Sequence, residues 1–125
     1  MSEDHRIYHI TTQKAWDQAC SEGDYRADSL VSQGFIHCSR RDQALRVGNA
    51  FYKETPDLVL LHIDPTRLSA ELRYDPPDHP SGTPPSTGEE ERFPHLYGAL
   101  NLEAVIAVTP MHLNDAGDYD ERIFG

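Results

Sequence analysis

At 125 residues and a formal net charge of −10, from 21 acidic against 11 basic side chains, the chain has the length of one domain and a field that repels polyanions. Long nucleic acids and anionic membrane surfaces are therefore not expected partners, although a local basic spot can still meet one small phosphate. Hydrophobic residues make up 38%, and no run approaches the ~18 apolar residues of a membrane span. The N-terminal MSEDHR has no basic start followed by an apolar stretch, so the expected location is cytoplasmic.

In chain order, residues 6–11 alternate and predict a first strand, with Ile7, His9 and Thr11 on one face and Tyr8 and Ile10 on the other. Thr11 or Thr12 then suits the cap of a helix running to about Glu22. Its apolar side holds Ala15, Trp16, Ala19 and Cys20, and Gly23 ends it. DYRADSLVSQG reads as an extended loop. GFIHCS follows as a short strand, with Phe35, His37 and Ser39 on one face and Ile36 and Cys38 on the other. Ser39 with Asp42 resembles a capping pattern for a helix over about 40–53, whose inner face is expected to hold Ala44, Val47, Ala50 and Phe51. DLVLLHID is a near-continuous apolar run and fits a central strand covered on both faces.

Asp64 and Pro65 open a turn, AELRYD alternates as another strand, and the composition then changes. PPDHPSGTPPSTGEEE contains five of the nine prolines and no large apolar residue, and it is expected to be a mobile loop, a candidate lid, over about 76–90. FPHLYG resumes order, LEAVIAVTPM predicts a last strand, and the acidic tail over about 114–125 is expected to be loosely attached. The whole is a single α+β domain over residues 1–125, with a mixed or mostly antiparallel sheet. Cys20 and Cys38 form no CxxC pair and are both expected to be inert buried thiols.

Three His-centred segments stand out as a site: YHIT, GFIHCS and FPHLYG. Two of them repeat an H-x-[ST] unit at a strand end, His9 with Thr11 and His37 with Ser39. Their plain structural reading is that the hydroxyls cap helices and the histidines are satisfied donors. Alternation turns Cys38 away from His37, against a Cys-His nucleophile. No pair of histidines has metal-ligand spacing, so no metal is expected; His5, His62, His79 and His112 read as structural or surface residues. Arg40 and Arg41 stand at a helix start, where anions are favoured, and Arg92 lies beside FPHLYG. No Gly-rich phosphate fingerprint accompanies them. The run Glu89–Glu91 is either solvated or a source of the carboxylate that glycosyl chemistry needs.

IYHITT, GFIHCS, LVLLHIDPTRLSAELRYD and ERFPHLYGALNLEAV, taken together from Ile7 to about Pro110, resemble the bacterial domain of unknown function 952 family. That family is similar in turn to the ADP-ribosyltransferase fold, a split antiparallel β-sandwich that grips NAD in a cleft; two helices are expected with it. The resemblance implies that His9 and Thr11 orient a ribose, and that His37 and Ser39 lie near the reacting end. The third motif of that fold often carries a catalytic glutamate. Here it offers His95 and Tyr97, with Glu91 just outside. His37, His95 and Glu91 are thus the implied catalytic set, with Arg41 or Arg92 meeting phosphate and Tyr97 stacking or hydrogen-bonding. NAD is the implied substrate and no resident cofactor follows. Three readings stand open: an enzyme on NAD or a related nucleotide, a small-molecule binding module without turnover, and an interaction domain whose histidines are structural.

Overall fold

The structure, a computed structural model, describes residues 6–75 and 92–125. The Pro-rich segment over 76–90 and Glu91 lie outside the described residues, as do His5 and His79. The first strand, β1, spans Ile7–Thr12, and Thr12 caps helix α1, Gln13–Glu22, by accepting from the Ala15 N–H at 3.1 Å. Gly23 closes α1 with φ of 101°, the left-handed backbone at which glycine escapes the Cβ clash. Two short elements follow in place of the expected loop. They are β2, Asp24–Tyr25, and α2, Asp28–Ser32, which brings the α-helices to three among the described residues. Neither has enough residues to show a period.

GFIHCS is not one strand. Ile36–His37 form β3 and Ser39–Arg40 form β4, and the two belong to different sheets. His37 pairs with His95, whereas Ser39 pairs with Tyr8. The chain therefore crosses between sheets at Cys38, which is buried in the core between them. Helix α3, Arg41–Phe51, comes next, and its cap is Arg40 instead of Ser39. Gln43 accepts from the Arg40 N–H at 2.9 Å and donates to the Arg92 carbonyl at 2.7 Å.

Leu58–Ile63 form β5, Glu71–Asp75 β6, Phe93–Tyr97 β7, Leu100–Asn101 β8 and Val105–Met111 β9. The strands make a four-stranded sheet in the order β4-β1-β5-β9, a three-stranded sheet β3-β7-β6, and the pair β2-β8. Every described pairing is antiparallel. The expected α+β class with antiparallel sheets holds. Strand β5 is internal, and all six of its residues are buried because both sheet faces are covered. On one face Ile7, Val59, Leu61 and Ile63 meet Ile36 and Leu96 of the three-stranded sheet, with Ala19 of α1. On the other Tyr8, Ile10 and Leu60 meet Ala44 of α3 and Met111.

Three expectations about the core fail. Cys20 is exposed on α1, and on α3 Ala50 and Phe51 face solvent while Gly48 turns inward. The C-terminal tail, expected to be loose, is built into the second core through buried Tyr119 and Ile123. Asn49 clasps the Tyr119 backbone with both amide atoms, at 2.7 and 3.1 Å, and the Tyr119 hydroxyl donates to the Tyr52 carbonyl at 3.1 Å. Gly48 gives the Tyr119 ring room, since a Cβ there would stand 3.3 Å from it. Lys53 adds an ion pair to Asp118, and His62 bonds Thr109, whose hydroxyl donates to the Ile123 carbonyl. Two apolar anchors outweigh an acidic composition here. Ile123→Ala is accordingly expected to cost about 2–4 kcal/mol in urea denaturation, and deletion of residues 114–125 to cost more.

Candidate functional site

The site lies where the two sheets part. Strand β1 pairs with β5 along its whole length but with β4 only at Ile7 and Tyr8. From His9 onward its outer edge has no strand beside it among the described residues, because the chain before β4 has turned away to pair with β7. A cavity of about 250 Å³ fills that divergence. Apolar walls come from Tyr8, Ile10, Val47, Tyr52 and Phe93, and polar groups from His9, His37, Ser39 and His95. A second cavity, of about 450 Å³, continues along the edge of β1 and shares Ile10 and Tyr52 with the first.

His9 is held at both nitrogens. Nδ1 lies 2.5 Å from the His37 carbonyl oxygen and Nε2 lies 2.8 Å from the Tyr25 hydroxyl. Burial lowers its pKa to about 4, so the ring is neutral near pH 7. A carbonyl only accepts, so the single proton sits on Nδ1 and Tyr25 donates to Nε2. The Tyr25 oxygen, 3.0 Å from Thr11 Oγ1, then accepts from the Thr11 hydroxyl. The chain Thr11–Tyr25–His9–His37 thus ties β2 and β3 to β1 where no strand ladder does. Thr11 does not cap α1; its hydroxyl serves this chain.

His95 is placed differently. It is 3% exposed, stacked against Phe35 at 4.1 Å between ring centres, and its Nδ1 donates to Asp75 Oδ2 at 3.0 Å. The same oxygen accepts from the Tyr97 hydroxyl at 2.6 Å. That hydroxyl first, and His95 second, hold the Asp75 carboxyl below the ordinary carboxylate range. With Nδ1 engaged by Asp75, Nε2 is the His95 ring nitrogen without a hydrogen bond among the described residues. His37 stands opposite His95 across β3 and β7, with ring centres 5.3 Å apart. It is exposed and donates from Nε2 to the Gln33 amide oxygen at 2.6 Å. Ser39 is 7% exposed and lines the cavity, and among the described residues nothing hydrogen-bonds its hydroxyl. Burial raises the Cys38 thiol to about 12, which makes it inert.

Of the residues singled out from the sequence, the fold brings His9, His37, Ser39 and His95 to one cavity. Tyr97 stands behind His95 on Asp75, with the Arg73 guanidinium 4.9 Å over its ring. Arg41 is turned onto Phe124, 4.1 Å from the ring centre, and Arg92 donates to the Tyr74 carbonyl; neither lines the cavity. Glu91 lies outside the described residues. Among those described, no group of His, Cys, Asp or Glu side chains converges as a metal needs. Asp75 and Tyr25 went unnoticed in the sequence. Alternation along β6 places Asp75 on one face with Arg73, but the pairing that sets that face beside His95 of β7 is long-range and left no local signal. Tyr25 had none either, since two-residue β2 has no readable period.

The architecture defines an α+β protein of antiparallel sheets with a histidine-lined cleft at the sheet divergence. Residues 10–108 match the family described as protein of unknown function (DUF952), and the chain belongs to that family. It is similar in structure to protein CC0527 of Caulobacter crescentus. The crystal structure of CC0527 is 26% identical, with a TM-score of 0.74 over 92% of this chain and 93% of that one. The solution structure of CC0527, also 26% identical, gives a TM-score of 0.65 over 90% of each chain. No curated protein matches the chain. Among the described residues no helix is long and apolar enough to cross a membrane. The likeness to ADP-ribosyltransferases rests on the sequence motifs alone.

Two results are expected. In a pH titration followed by NMR, the His9 ring stays neutral until the pH approaches 4. An unfolded histidine takes its proton below pH ~6.5 while folded His9 does not, so the unfolded chain binds more protons in that window. Stability then falls as the pH drops from about 6.5 towards 4, by at most about 3 kcal/mol from this residue, and His9→Phe flattens the dependence. Tyr25→Phe, which leaves Thr11 and His9 without their buried partner, is expected to cost about 1–3 kcal/mol in urea denaturation.

Proposed function

We propose that the cleft binds NAD or a related ADP-ribosyl nucleotide and acts on its glycosidic bond, with His95 as the general base and Asp75 as the residue that positions it. The observation that carries this reading is the Asp75–His95 pair at the cavity wall, with the proton held on Nδ1. Such a pair fixes the tautomer and stabilises the imidazolium formed when Nε2 takes a proton. In hydrolysis the carbon–nitrogen bond to the pyridinium breaks and its electron pair returns to the departing ring. Water attacks the sugar carbon as His95 takes its proton. The Ser39 hydroxyl bonds a ribose oxygen in this reading, which its position on the cavity wall supports. His9 has both nitrogens engaged and contributes the wall. His37, at the exposed rim, contacts the ligand without holding the proton.

A second reading, binding without turnover, is favoured by one observation. Among the described residues no carboxylate lines the cavity, so none of them stands ready there to stabilise a developing positive charge on the sugar. A proton NMR time course of NAD with the wild-type protein, His95→Gln and Ser39→Ala separates the two. Release of free nicotinamide is expected with wild type, slowed about 100-fold or more by His95→Gln. Broadened NAD lines without product place the protein in the binding class, and sharp, unchanged lines overturn both readings.

A further inference from the structure

Phe51 is the last residue of α3 and is 76% exposed, yet its side chain lines the mouth of the first cavity. A large aromatic ring left in water forgoes the burial that normally stabilises it. Here it stands beside Tyr52 on a wall that also carries Tyr8 and Phe93. None of the described lining residues is Lys, Arg, Asp or Glu, so no permanently charged side chain among them neutralises a phosphate. The polar groups left for a ligand are few: the hydroxyl of Ser39, a residue 7% exposed whose side chain has no hydrogen bond among the described residues, and the His95 ring. At about 250 Å³ the space is also below the roughly 300–1,000 Å³ that encloses a whole drug-sized ligand.

From this wall we infer that the part of the ligand entering the cavity is a planar aromatic ring system carrying no phosphate, and that Phe51 stacks on it and selects it. The inference rests on the reading of the cleft as a nucleotide site and says which portion goes inside. The ring covers Phe51 from water, its attached sugar meets Ser39, and any phosphate stays outside the cavity. Phe51 is thereby a specificity-determining residue, which its exposure and its place at the cavity mouth together explain.

Saturation-transfer NMR tests this with three probes: adenosine and nicotinamide, which carry rings without phosphate, and ribose 5-phosphate, which carries phosphate without a ring. Each is measured on wild type, Phe51→Ala and Phe51→Tyr, with thermal unfolding as a control; the exposed position is expected to leave the unfolding temperature unchanged. The expected result is saturation of the ring protons of at least one probe by wild type, about 10-fold weaker binding to Phe51→Ala, and retention by Phe51→Tyr. Ring binding undiminished in Phe51→Ala overturns the stacking role. Binding of ribose 5-phosphate in place of either ring, or of no probe at all, overturns the inference as a whole. Ring probes held through Phe51 while NAD is neither bound nor cleaved sustain this inference and reject the proposed function. Cleavage of NAD by Phe51→Ala at the wild-type rate and affinity does the reverse.

Discussion

The site depends on where β1 loses its neighbour. Two residues of β4 pair with β1 at Ile7 and Tyr8, and two residues before Ser39, at His37, the chain belongs to the other sheet. A strand edge inside a protein must otherwise be laddered, capped or covered, because its N–H and C=O groups are costly to bury unpaired. Here the divergence is bridged by a side chain, with His9 reaching the His37 carbonyl and Tyr25 closing the chain to Thr11. The cavity exists because that bridge holds the two sheets at a distance that no ladder spans.

The two buried histidines of the cleft show how one residue type takes opposite roles. His9 is satisfied at both ends and desolvated, so its proton is locked in place. His95 is anchored at Nδ1 on a carboxylate that Tyr97 also engages, and among the described residues its other nitrogen has no hydrogen bond. The first arrangement makes structure. The second leaves one ring nitrogen without a hydrogen-bond partner among the described residues. His9 and His37 share the H-x-[ST] unit, yet His37 is exposed and bonded to Gln33 while His9 is buried. Their hydroxyl partners differ as well, since Thr11 belongs to a hydrogen-bonded chain and Ser39 faces the cavity.

The wall opposite β1 is supplied by α3, and the C-terminal tail sets its position. Asn49 and Tyr52 near the end of that helix are clasped by Tyr119, while Val47 and Tyr52 line the cavity. The acidic stretch that composition marks as loose is therefore part of the frame of the cleft. Tyr119, Ile123 and Phe124 are its large apolar residues, and three such residues in an acidic stretch form no period.

Much of the framework was legible in the chain itself. The alternation of IYHITT, the apolar run of β5, the cap at Thr12 with Gly23 at the other end of α1, and the three His-centred segments each follow from local chemistry, which acts over a few residues and leaves a period or a capping residue behind. What tertiary structure alone decided is how those segments meet. The crossing at Cys38 divided one apparent strand between two sheets, because the choice of partner for each residue lies in distant segments, Tyr8 for Ser39 and His95 for His37. The same long-range pairing brought Asp75 to His95, turned Arg41 towards Phe124 and left Phe51 in solvent at the cavity mouth. None of these outcomes is written in a neighbouring residue. They arise from packing between segments far apart in the chain, where no local pattern records which side chain faces which.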